Sequence, residues 1–181
     1  MIDLKKCALP QSVEVNGRRF RIHTSFRYWL RFSEHIKEKD AKIADFDYMY
    51  ILDKPENRAE GIRALCEFFN PPQELPRSIG RQTAEKVLDY EIDAPYIYAA
   101  FYEQYGIDLY DKELHWHKFL ALLHGLHDTE LNNIISARLY VPTGKKDEYE
   151  KQKQRQLEAW RLPQDAEPDK AYDDFMRELG E

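Results

Sequence analysis

The chain has 181 residues, 33% of them charged, a formal charge of -6 and a mean hydropathy of -0.75. That length suits one domain, or one domain with an appendage, and can bury a real core, while net acidity argues against an electrostatic nucleic-acid binder. No apolar run approaches the roughly 20 residues that cross a bilayer, and Met1-Ile-Asp-Leu-Lys-Lys leads into no signal-peptide core, so the expectation is a cytosolic protein without a membrane partner.

Val13-Glu-Val15, Asn16-Gly17 and Arg18-Arg-Phe-Arg-Ile22 predict a β-hairpin, because Asn-Gly supplies the two positive φ angles of a type I′ turn. A two-residue loop sets Val13 opposite Phe20 and Glu14 opposite Arg19, apolar on one face and oppositely charged on the other. Such a hairpin is marginal alone, so its apolar face is expected to lie on helices. A helix follows from Thr24 or Ser25, with Phe26, Trp29, Leu30, Ser33 and Ile36 inward and Arg27, Arg31 and Glu34 outward. From Ala41 to Leu52 the spacing of Ile43, Phe46 and Met49 or Tyr50 favours a helix, though the aromatic run also suits a strand. Pro55 fits an early position of a helix reaching Phe69, with Ala59, Ile62, Leu65, Cys66 and Phe69 on one side and Asn70-Pro-Pro72 as its stop. Pro71 to Arg81 reads as an irregular crossing, and Thr83 to Ile92 as a short helix or an extended piece.

From Asp93 to Leu139 three apolar stripes recur at helical spacing: Ile97, Phe101 and Tyr105, then Trp116, Phe119, Leu120 and Leu123, then Leu131, Ile134 and Ile135. Gly106 follows the first as a left-handed cap, and Asp128 precedes the third as an acceptor for orphan amides. Composition changes after Pro142-Thr-Gly144. Residues 141–162 carry 6 basic and 4 acidic side chains, residues 163–181 carry 2 and 7, and Lys145 to Arg155 reads as a solvated helix or a disordered connector. Tyr172, Phe175, Met176 and Leu179 then share one helical face, isolated by Pro163 and Pro168 from what precedes, on a helix too short to be stable undocked. The expected fold is mainly α: a helical domain with an N-terminal β-hairpin over residues 4–140, and a polar helical stem with a detachable amphipathic C-terminal helix over residues 141–181.

No arrangement announces chemistry. His117 and His124 stand seven residues apart, roughly 10 Å along a helix, too far to hold one ion as a pair. His124 and His127 are one turn apart, but His127 is expected on the Trp116 and Leu123 stripe, and no cysteine completes a set. Cys7 and Cys66 lack metal spacing and are expected as free thiols. No nucleophile elbow or phosphate-cradling glycine loop is present, so no catalytic residue, metal or cofactor is assigned. Arg18, Arg19, Arg21, Arg27 and Arg31 near Phe20, Phe26, Tyr28 and Trp29 would suit a nucleic acid, but their strand and helix periods place them on solvated faces. Tyr48, Tyr50, Tyr90, Tyr96, Tyr98 and Tyr102 cannot all enter one small core, so some should border a partner.

Asp93-Ala-Pro-Tyr-Ile-Tyr-Ala-Ala-Phe, Tyr105-Gly-Ile-Asp-Leu109, His115-Trp-His-Lys-Phe-Leu-Ala-Leu-Leu-His-Gly-Leu126 and Ile134-Ile-Ser-Ala-Arg138 resemble, in this order, a family of small phage proteins of Gram-positive hosts known after gene product fifteen. The resemblance runs from about Val13 to Trp160. It implies a tail assembly chaperone-like protein, not an enzyme, that binds the tape measure protein and passes it to the tail tube protein. Homo-oligomers, residence in the host cytoplasm and absence from the mature virion are expected with it. Leu157, Trp160, Tyr172, Phe175 and Met176 are the candidate partner-binding residues, either gripping the client or covering its surface until it arrives; the tip beyond Leu162 lies outside the resemblance. A permanent component of the tail or connector and a nucleic-acid-binding module are the alternatives.

Overall fold

A computed structural model describes residues 2–38, 41–70, 87–144 and 147–163. The architecture is mainly α with one N-terminal hairpin, as the periodicity predicts. The described residues fall into two compact units, the first of residues 2–38, 41–70 and 113–121, the second of residues 87–112, 122–144 and 147–163.

In the first unit β1 (Ser12–Val15) and β2 (Arg18–Arg21) pair antiparallel in the expected register, Val13 facing Phe20 and Glu14 facing Arg19. Asn16 and Gly17 take φ of 50° and 77°, the two positive angles of the primed turn. Val13, Val15 and Phe20 are buried, and β1 packs on α2 (Arg58–Phe69), which supplies the helical support a lone hairpin needs.

Helix α1 (Phe26–His35) buries Phe26, Trp29, Phe32 and Ser33. Phe32, absent from the predicted inner face, is fully buried, whereas Leu30 is only half-buried, because the inner stripe is centred on Trp29 and rotated towards Phe32. Ile43–Met49 forms a 3₁₀ helix and not an α-helix. A three-residue apolar spacing matches three residues per turn, so Phe46 and Met49 are buried, while Ile43 stays 39% exposed. The strand alternative survives as a single bridge from Tyr50 to Ile22, where the His23 N–H donates to the Met49 carbonyl at 2.9 Å.

Helix α2 starts at Arg58, later than Pro55 implies, because the Asn57 side chain caps it by accepting the Glu60 N–H at 3.1 Å. Pro55 lies ahead of the helix, buried beside Gly61. A Cβ at Gly61 would stand 2.6 Å from Pro55 Cγ and 2.9 Å from the Tyr50 hydroxyl, which donates to the Gly61 carbonyl at 2.9 Å. Phe68 is the buried ring near its end and Phe69 is half-buried.

Glu113–Ala121 complete this unit and include the first turns of α4 (Trp116–His124). Trp29 stacks on Phe68 at 4.8 Å and on Trp116 at 6.3 Å, and its indole N–H donates to the His23 carbonyl. The end of α2 leaves carbonyls without helical donors. Side chains of α4 satisfy two of them: the Trp116 indole donates to Phe69 O and His117 Nε2 to Phe68 O, both at 2.9 Å.

The second unit holds α3 (Ala94–Tyr105), the last turn of α4, α5 (Glu130–Arg138) and α6 (Glu148–Trp160). Gly106 caps α3 at φ 62°, as predicted. Thr129, not Asp128, caps α5: its hydroxyl accepts the Asn132 N–H while the Asn132 side chain accepts the Thr129 N–H. Asp128 precedes that box with φ 55°, a left-handed geometry that asparagine and aspartate tolerate.

Residues 87–89 are irregular and 90–93 form a turn, so no helix continues to Ile92 over the described part of that segment. The cause is local competition. Asp89 Oδ1 accepts the N–H groups of Glu91 and Ile92 at 2.8 and 2.9 Å, offering the backbone an alternative to the helix. The predicted crossing at 71–81 lies outside the described residues, as do Tyr172, Phe175 and Met176.

Candidate interaction surface

Arg138, at the C-terminal end of α5, organises the second unit. Its Nη1 and Nη2 donate to the two carboxylate oxygens of Asp93 at 2.6 and 2.8 Å, its Nη1 also to Val87 O at 3.0 Å, and its Nε to Trp160 O at 2.7 Å. One planar fork thereby joins the start of α3, the segment before it and the end of α6. Asp93 Oδ2 accepts the Asp89 N–H as well, so the buried carboxylate is satisfied on several sides.

Helix α6 resolves the two readings of the polar stem in favour of a helix, capped by Asp147, whose side chain accepts the Glu150 N–H at 2.7 Å. It packs on α5. Glu150 is buried and accepts bonds from the Tyr140 hydroxyl at 2.6 Å and from the Thr143 N–H and hydroxyl, both at 2.8 Å. These donors hold its pKa down to about 2, and the same bond raises the Tyr140 phenol to about 12. A glutamate in a lysine-rich stem looks solvated from sequence, and no spacing rule couples it to a tyrosine ten residues earlier.

The two candidate partner residues that are described, Leu157 and Trp160, are half-buried on α6. Trp160 meets Tyr96 of α3 edge to face, ring centres 5.5 Å apart. Tyr96 is thus a packing tyrosine. Tyr102, by contrast, is 59% exposed, and so are Leu139, Val141 and Tyr149 over much of their surface.

His115 and His117 are structural. His115 Nε2 donates to Pro10 O at 2.8 Å and its Nδ1 accepts the His117 N–H at 3.1 Å, which fixes a neutral ring. Burial lowers the pKa of both and brings His117 to about 4. His127 is exposed and lies off the apolar stripe, its N–H donating to Gln104 Oε1 at 3.1 Å, since α4 ends before it. Among the described residues no group of three potential ligands could hold a metal ion.

Four of the five N-terminal arginines have partners within the first unit. Arg18 pairs with Asp53, Arg19 with Glu14 at 4.0 Å and Arg27 with Glu113 at 3.4 Å, while Arg31 lies over the Tyr48 ring at 4.8 Å. Among the described residues no helix is long and apolar enough to cross a membrane.

A sequence model of the family described as Bacteriophage Gp15 protein matches residues 6–161. The chain belongs to that family. The Gp15 match takes in the hairpin and every α-helix described, and it ends one residue after α6. Tyr172, Phe175 and Met176 lie beyond it. No curated protein and no solved structure matches the chain.

Proposed function

We propose that this phage protein is a non-enzymatic tail assembly chaperone, which keeps the tape measure protein soluble in the host cytoplasm and passes it to polymerising tail tube subunits. It works as a homo-oligomer and is absent from the finished virion. Membership of a phage family carries the reading. The exposed rings and aliphatic side chains of Tyr102, Tyr149, Leu139 and Val141 support it, because a client that must be released needs many shallow contacts with fast dissociation. Leu157 and Trp160 take the covering role in this scheme: α6 shields part of its own unit until a client displaces it. The half-burial of both side chains and the contact of Trp160 with Tyr96 favour that assignment.

Co-expression with the large helical protein of the same phage tests the reading. The expected result is that the client stays soluble and co-purifies; a client that remains insoluble, or a stoichiometric band of this protein in purified virions, refutes transient chaperoning.

A further inference from the structure

Three tyrosines form a platform on the second unit. Tyr98 and Tyr102 lie one turn apart on α3 with ring centres 6.3 Å apart and planes 18° from parallel, and Tyr110 returns from the following turn to 5.6 Å from Tyr98. Tyr102 is 59% and Tyr110 83% exposed. Asp108 fixes the arrangement: Oδ2 accepts the Tyr98 hydroxyl at 3.3 Å, Oδ1 accepts the Tyr110 N–H at 2.9 Å, and its carbonyl accepts the Lys112 N–H at 3.0 Å. Rings set in place in this way lose little freedom on binding, which is why tyrosine dominates many binding surfaces.

The charge along this stretch is predominantly negative. Residues 98–112 carry Glu103, Asp108 and Asp111 against Lys112 alone. Asp108 and Asp111 both act on the Tyr98 hydroxyl, whose pKa is raised by burial first and by these carboxylates next. A tyrosine face attracts cations, and neighbouring carboxylates add to the attraction while repelling phosphates and acidic chains.

We propose that this platform docks a basic polypeptide segment, an arginine- or lysine-bearing helix of another protein, with its cations over Tyr102 and Tyr110 and against Asp108 and Asp111. This surface and its partner chemistry stand independently of the tail-assembly role.

The test titrates the full chain with a fluorescein-labelled helical peptide of alanine and arginine, and with a counterpart of alanine and glutamate. Saturable, salt-sensitive binding of the arginine peptide alone is expected. Tyr102→Ala with Tyr110→Ala, and separately Asp111→Asn, should each weaken it by about tenfold, a difference of about 1.4 kcal/mol. All three positions are exposed, so circular dichroism should show an unchanged fold. Equal binding of the two peptides, no binding of either, or unaltered binding by the variants overturns the proposal. So does a drop in oligomeric order of the tyrosine variants without peptide binding, which would assign the face to a second copy. Because the probe contains no tape measure protein, its failure leaves the chaperone reading standing, and the reverse also holds.

Discussion

Arg138 and Asp93, 45 residues apart in sequence, meet as a two-bond ion pair with only 6% and 1% of their side chains exposed. Removing one partner of such a pair leaves an uncompensated buried charge, at a cost of roughly 3–5 kcal/mol. Arg138→Met should therefore destabilise the protein strongly in chemical denaturation. Arg138→Met combined with Asp93→Asn should recover part of that loss, since no bare carboxylate remains. A double variant no more stable than the single one would show that the bonds to Val87 and Trp160 matter more than the charge.

Stability should fall as pH drops from about 6.5 towards 4 in a His117-dependent way. Folded His117 has its pKa lowered to about 4, so between the two values the unfolded chain binds a proton that the folded chain refuses. His117→Gln keeps a donor for Phe68 O but cannot titrate. Melting temperatures at pH 7 and pH 5 should differ less for this variant than for the parent; equal differences would remove His117 as the cause.

Glu150 works at lower pH. Its contribution is complete above the ordinary value of 4.5 and is lost as pH falls through about 2. Tyr140→Phe removes the first of the donors that hold this pKa down, so a carboxyl-carbon NMR titration should place the Glu150 midpoint higher in the variant.

Gly61→Ala should destabilise by about 1–3 kcal/mol even though alanine is the better helix former, because the rigid Pro55 ring blocks the new methyl group. Urea denaturation measures this directly. A neutral or stabilising result would mean that Pro55 and Tyr50 can move aside.

Short-range chemistry was the readable part of this fold. The hairpin register followed from Asn16-Gly17 and the end of α3 from Gly106, each a residue whose backbone freedom has a local signature. Rotational detail was less accessible: Phe32 and Phe68 took inner positions that period counting gave to Leu30 and Phe69, since a stripe one residue wide shifts with small changes in packing. The Arg138–Asp93 pair was out of reach, although Asp93 opens and Arg138 closes segments that carry the family resemblance, because nothing in a single sequence couples charges 45 positions apart. Tyr98 and Tyr102 stand among six tyrosines too many for one small core, but which of them reach the surface, and the contribution of Tyr110, depend on packing and on a turn that Asp108 builds.

The two cysteines differ in a way that can be put to use. Cys7 is exposed, while Cys66 sits within α2 at 3% exposure. A maleimide dye should label one sulfur promptly on the native chain and reach the other only when α2 opens. The delay between the first and second adducts, read by intact-mass spectrometry, times that opening without any introduced probe.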